Sequence, residues 1–157
     1  MIIMKAIIEF ENTDADGEVT KSKVSAVMEV RQNDFRLVYV EDLSGDGKLT
    51  KSTLTLSGDS MRIIRKGELT TDFIYGMNLI HNTTYQTPYG TLPVVVETEN
   101  YSFEAEGVSE ENNALQENFR LQVQTAYKLI VGGEEPLKLN MKITVRLQDK
   151  PHERVEA

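Results

Sequence analysis

Along most of this chain apolar and polar residues alternate with a period of two. In the C-terminal stretch Leu137, Leu139, Met141, Ile143, Val145 and Leu147 are apolar, and Lys138, Asn140, Lys142, Thr144, Arg146 and Gln148 stand between them. Successive side chains of a strand point to opposite faces of a sheet, so this segment reads as a strand with one dry and one wet face. Phe119, Leu121, Val123, Tyr127, Leu129 and Val131 form a second row. Val24, Ala26, Met28 and Val30 form a third, and Phe35, Leu37 and Tyr39 a fourth. The pattern predicts strands over about residues 2–11, 18–31, 34–41, 49–57, 60–66, 69–75, 77–86, 91–106, 117–131 and 136–148. No segment of helical length carries a helical period; Ser109–Gln116 is read as one helical turn over a strand connection. Val94 and Val96 favour one face and Tyr101 and Phe103 the other, which predicts a bulge near Glu97–Asn100.

Turn chemistry tests the registers, because a one-residue slip turns a whole row to the other face. Leu54 and Leu56 are even-numbered and Met61 and Ile63 odd, so the loop between them must be even in length. Gly58-Asp59 supplies two residues with Gly first, as a type II′ turn requires. Both inward rows of the last hairpin are odd, which selects the three-residue loop Gly132-Gly133-Glu134. The same logic selects Lys66-Gly67-Glu68 between Arg65 and Leu69. Thr87-Pro88-Tyr89-Gly90, with Pro second and Gly fourth, suits a type I turn.

Short connections between long amphipathic strands imply an all-β protein: a single antiparallel up-and-down barrel of about 8–10 strands. Closure removes the two edges that an open sheet would expose; a two-sheet sandwich is the alternative. The 157 residues suit one domain, expected over 1–150, followed by a polar, frayed tail over 151–157. The net charge of −8 offers no basic face for phosphates or an anionic lipid surface, so neither nucleic acid nor membrane is expected as a partner. No apolar run is long enough to span a bilayer. The first residues lack the features of a secretory signal and read as the start of a strand, and the absence of Cys fits a reducing cytoplasm, where the protein is expected. The chain has no Cys, which removes disulfides, thiol nucleophiles and thiolate zinc sites.

Few residues stand out as candidates for chemistry. Asp42-Leu43-Ser44-Gly45-Asp46-Gly47 resembles the start of a calcium loop, with Leu49 at the eighth place, but Thr53 stands where a bidentate Glu belongs. It reads as a polar hairpin loop, and no metal site is expected. His81 points inward if the odd row Leu69, Phe73, Tyr75, Met77 and Leu79 continues past Gly76. A lone histidine there is better read as hydrogen-bonded in the barrel than as a metal ligand. Arg65 continues the row of Met61 and Ile63, so alternation aims a guanidinium inward near a barrel end. A buried charge must be paired. The bland role is a plug bonded within the protein, and the functional one a clamp on a ligand carboxylate or phosphate. No nucleophile with its base, phosphate-cradling loop or carboxylate pair is evident, so no enzyme activity and no cofactor are expected.

The central segment resembles the YwiB-like family, small uncharacterised β-barrel proteins of Gram-positive bacteria. The resemblance rests on Arg65-Lys66-Gly67, Phe73, Gly76, Tyr85-Gln86-Thr87-Pro88-Tyr89-Gly90 and Thr98, and extends as strand pattern over about residues 3 to 148. It implies a lipocalin-like, or calycin, barrel and no established activity. Two functions then stand beside each other. One is a binding module for a small apolar or amphipathic ligand, with Arg65, His81 and Tyr85 as polar anchors and Phe73, Tyr75 and Tyr127 as apolar walls. The other is an interaction or regulatory module with a side-chain-filled barrel, working through its outer surface or a strand edge, as a homodimer or with another protein.

Overall fold

Extended backbone dominates the structure, a computed structural model that describes residues 2–42, 45–109 and 114–148. Its strands are β1 (Ile2–Thr13), β2 (Val19–Val30), β3 (Phe35–Glu41), β4 (Thr50–Leu56), β5 (Ser60–Lys66), β6 (Thr71–Gly76), β7 (Ile80–Thr87), β8 (Gly90–Val108), β9 (Leu115–Val131) and β10 (Leu137–Leu147). They form one antiparallel sheet in the order β6-β5-β4-β3-β2-β1-β10-β9-β8-β7. Sheet neighbours are sequence neighbours except where β1 meets β10. β6 and β7 then touch through one antiparallel bridge, Thr70 with Gln86. Its two hydrogen bonds run from Thr70 N–H to Gln86 O (2.9 Å) and from Gln86 N–H to Thr70 O (3.0 Å). The result is an all-β, nearly closed meander, consistent with the lipocalin-like barrel that the resemblance implies. Among the described residues no helix is long and apolar enough to cross a membrane.

The apolar rows meet inside. Ile8, Met28, Leu37, Leu54, Leu56, Met61, Ile63, Leu121, Val123 and Ile143 are fully buried. Each contributes about 1.5–3 kcal/mol by leaving water, which makes the alternation the main determinant of register. Phe35 reaches across the barrel to Phe103 and Phe119, with ring centroids 6.4 and 5.8 Å away.

Several turn and boundary expectations meet the structure unevenly. Leu56 pairs with Met61, which gives the even loop around Gly58-Asp59. Gly58, however, is not left-handed, so the turn is not type II′. In the last hairpin Leu137 pairs with Leu129, both odd. Gly132 and Gly133 there take φ of 62° and 74°, which a side chain would resist. Between β5 and β6 the loop is odd as expected, but Arg65 pairs with Thr71, two residues beyond Leu69. Met77 and Leu79 do not continue the inward row: they are 52% and 38% exposed. β6 ends at Gly76, and Asn78 with φ 58° turns the chain out of the wall before β7 begins at Ile80. At Ser109–Gln116 no helical turn is found among the described residues, since β9 already begins at Leu115; residues 110–113 lie outside them. So does the tail over 151–157.

The register shift between Thr98 and Asn100 lies where the two apolar faces of β8 conflict, and a second separates Glu106 from Val108. The first leaves both Thr98 and Tyr101 buried. Tyr101 O–H donates to Ser57 O (2.6 Å), with Ser60 O also in reach at 2.9 Å, and so ties the β4–β5 turn to β8. Tyr101→Phe leaves those carbonyls without this donor. It is expected to cost about 1 kcal/mol of stability in urea unfolding, with the slope of the transition unchanged.

Candidate functional site

The inward row that begins with Leu54 and Leu56 on β4 continues with Ser52 and Thr50. On β3 the row of Leu37 and Tyr39 continues with Glu41, and on β6 that of Phe73 with Thr71. Pairing brings these polar continuations together. Tyr39 lies opposite Ser52, Ser52 opposite Arg65 and Arg65 opposite Thr71, with Glu41 opposite Thr50 in the next row. The apolar interior therefore ends in a polar layer spanning β3 to β6. Directly opposed residues have Cβ atoms about 5 Å apart, within reach of one another. Gly67 lets the β5–β6 loop lie against this layer, since a Cβ there would stand 2.6 Å from Thr50 Oγ1. Lys48 Nζ meets Glu68 Oε1 at 2.7 Å and joins the β3–β4 and β5–β6 loops over the same end.

Arg65 faces inward at the barrel end, and its nearest carboxylate is Glu41. Nε and Oε1 are 3.8 Å apart, an ion pair too long to be a hydrogen bond. Ser52 Oγ–H donates to the same Oε1 at 3.3 Å. The side chains of Arg65 and Glu41 keep 25% and 19% of their surface in contact with solvent, so the pair forms the open side of the layer. Behind it, Tyr39 Oη and Thr71 Oγ1 are buried with no well-formed hydrogen bond among the described residues, and the Ser52 hydroxyl lies near enough to act on the Tyr39 phenol. Burial pushes the Tyr39 hydroxyl up to about 12, against the opposing pull of the Arg65 charge. Burial also raises Tyr75 and Tyr127, again with Arg65 acting in the other direction. The same guanidinium thus lies within electrostatic reach of three phenols.

The remaining sequence candidates occupy two places. Tyr75 and Tyr127 pack edge to face, with ring centroids 4.9 Å apart. Phe73 and Tyr85 meet across the β6–β7 seam at 6.2 Å. His81 pairs with the buried Val96 and shares its inner face. Its half-buried ring places Nε2 3.0 Å from Asp72 O. A carbonyl can only accept, so Nε2 carries the proton and His81 spans the seam where ladder bonds are sparse. Tyr39, Glu41, Ser52 and Thr71 were not among the sequence candidates. In the loop that resembles a calcium site, Asp42 accepts from Gly45 N–H and Gly47 N–H at 2.8 and 3.0 Å, as in a polar hairpin loop. Leu43 and Ser44 lie outside the described residues.

The model of a domain of unknown function, DUF1934, matches residues 2–143. The chain belongs to the DUF1934 family. Among solved structures, the crystal structure of YwiB protein from Bacillus subtilis matches with a TM-score of 0.73. The alignment covers 94% of each chain at 19% identity, which shows a shared fold and no more. No curated protein matches.

Among the concave features of this DUF1934 barrel's outer wall, two lie beside the strands that carry the polar layer. β2 pairs with β3 only from Val27 to Val30, and beyond that the strands part. The opening is a mainly apolar cleft of about 460 Å³, lined by Ala26, Val27, Val38 and Val40 among others. Tyr39 belongs both to this cleft and to the polar layer. A second cleft of about 310 Å³, over β3 to β5, is lined by Arg31, Arg36, Lys51, Arg62 and Lys66 with Thr53, Thr55 and Ile64. Arg62 is bidentate to Asp72, at 2.8 and 2.6 Å, and Arg31 meets Asp34 at 2.6 Å. Lys51 and Lys66 instead stand directly opposite each other, an arrangement that costs stability between like charges.

Proposed function

We propose that this DUF1934 chain is a non-catalytic, cytosolic bacterial barrel that binds a small amphipathic molecule. The observation that carries this reading is the polar layer Tyr39–Ser52–Arg65–Thr71, which ends an apolar interior beside an apolar cleft. Binding sites in proteins combine a mainly apolar lining with a few converging polar groups, and Tyr39 joins both parts here. The apolar part of the ligand lies against Val27, Val38 and Val40, and its polar end meets the layer through Tyr39, which cleft and layer share. Tyr75 and Tyr127 back the layer. Phe73, Tyr85 and His81 hold the seam that keeps its far side closed. The side chains beyond the layer are fully buried, so the site proposed here is the layer and the cleft beside it and not the barrel interior.

Native mass spectrometry and the fluorescence of anilinonaphthalene sulfonate test this. We expect saturable one-to-one binding that Val40→Asp weakens about tenfold or more, because it puts a charge into the apolar cleft. Binding that never saturates, or that ignores Val40→Asp, overturns the proposal.

The cationic cleft favours a second reading, an interaction module for an acidic protein segment. A two-fold dimer through that face would set Lys51 and Lys66 against their own copies. A homodimer, if formed, would use a strand edge. Nucleic acid remains a poor fit for a chain of charge −8. Salt-sensitive binding of polyglutamate that Lys51→Glu abolishes would support this reading over the first.

A further inference from the structure

Resting on the small-ligand reading, we infer that the polar layer is a receptor for an oxyanion, a carboxylate or a phosphate, held by Arg65 with Tyr39 and Thr71 and opposed by Glu41. The inference follows from a count of donors against acceptors. A guanidinium carries only donors, and those of Arg65 make no hydrogen bond to a described residue. Among the described residues the buried Thr71 hydroxyl makes no hydrogen bond, and the buried Tyr39 hydroxyl, in the same cross-strand row, has only the Ser52 hydroxyl close by. Ser52 has committed its proton to Glu41. The layer's one charged acceptor is Glu41, and it stands outside hydrogen-bond distance of Arg65. Buried polar groups are nearly always satisfied, so two buried hydroxyls with spare donors, in one row with a guanidinium that touches solvent, mark a place for an acceptor-rich partner. A neutral carbonyl would satisfy one of them; the planar fork of Arg65 suits the paired oxygens of an oxyanion.

Glu41 sets the sign of the test. An anion entering the layer is repelled by Glu41 and attracted by Arg65, so removing either charge must change affinity in opposite directions. If Arg65 and Glu41 merely plug the barrel end, removing either one lowers stability and neither has a binding phenotype. Tyr39→Phe separates the two cases further. Deleting a buried hydroxyl that makes no well-formed hydrogen bond leaves the ligand-free protein equally stable or more so, whereas deleting a ligand contact weakens binding.

The experiment is isothermal titration of the full chain with sodium octanoate, inorganic phosphate and neutral octyl glucoside, each variant also melted without ligand. We expect octanoate or phosphate to bind. Arg65→Gln should weaken it about 10- to 100-fold, as expected for hydrogen bonds to a charged group. Glu41→Gln should tighten it, and Tyr39→Phe should weaken it with no fall in the ligand-free Tm. Should Arg65→Gln fail to fold, the opposite signs of Glu41→Gln and Tyr39→Phe decide the matter alone. Binding of phosphate alone identifies a free oxyanion; binding of octanoate alone identifies the head group of an amphiphile. Octyl glucoside binding as well as octanoate, with affinities indifferent to Glu41→Gln and Tyr39→Phe, overturns the inference and leaves the small-ligand reading intact. No binding by any of the three overturns both.

Discussion

Raising the pH from 10 to 12 should unfold this protein in a transition driven by its tyrosines. Tyr39, Tyr75, Tyr101 and Tyr127 all have hydroxyls pushed above the ordinary phenol value near 10, in each case chiefly by burial. A buried phenol resists losing its proton because the phenolate would be stranded away from water. The sign follows directly. Below pH 10 both states hold the phenol protons, and stability does not depend on them. Above it the unfolded chain releases them while the folded chain retains them, so the folded state binds more protons and stability falls as pH rises. Tyr39 alone, raised to about 12, removes about 2 kcal/mol by pH 12. Three further phenols shifted in the same direction make the total a large fraction of the 5–15 kcal/mol typical of a folded domain. The chain has no Trp, so phenolate absorbance can be followed directly beside circular dichroism. The expected result is that absorbance from these phenols appears together with loss of strand signal, in one cooperative step. Full phenolate absorbance while the barrel stays folded would contradict their burial.

Those same tyrosines show how far the sequence could be read. Alternation located every strand, and it turned Tyr39, Tyr75 and Tyr127 inward because each extends an apolar row. It also turned Arg65 inward, since Met61 and Ile63 fix the face of β5. The rest of the polar layer obeys the same rule: Glu41 follows Tyr39, Ser52 and Thr50 precede Leu54, and Thr71 precedes Phe73. Those residues carry little signal of their own, since Ser and Thr stand on either face of a strand and a Glu at the end of a row reads as its exposed terminus. The partner of Arg65 was harder to see. Glu41 lies two strands away, and only the β3–β4 and β4–β5 registers together bring it near Arg65; on the other side the β5–β6 register is two residues away from the expected one. Gly58 shows the limit at turn level: a two-residue loop can be read from parity, but its backbone twist cannot. The outward turn of Met77 and Leu79 had a local cause in Asn78, whose left-handed backbone ends the row before His81 resumes it. The cleft between β2 and β3 was not legible at all. It arises where two strands of unequal pairing length part, a property of the closed sheet and not of either strand.

Gly107→Ala should be the most damaging small substitution in the wall, and Gly133→Ala provides its control. Both glycines are left-handed, with φ of 73° and 74°. For any residue with a Cβ that backbone costs about 1–2 kcal/mol. Gly133 lies in the last hairpin, where an added Cβ meets nothing within 4 Å. Gly107 lies in the second bulge of β8. A Cβ there would stand 2.6 Å from Phe119 N, 2.7 Å from Phe119 Cα and 2.7 Å from Asn118 Oδ1. Two of those atoms are backbone of β9, so the wall itself must move. Phe119 is buried and packs on Phe35, so displacing its main chain disturbs the contact across the barrel as well. Overpacking of this kind costs about 1–3 kcal/mol more. Gly107→Ala is therefore expected to destabilise by about 2–5 kcal/mol, and Gly133→Ala by about 1–2 kcal/mol. Urea unfolding of the two variants measures the difference, which isolates the clash because the backbone penalty is shared. Equal losses would mean that β8 and β9 are not held together at this bulge, and the close approach of Gly107 to Phe119 would then be wrong.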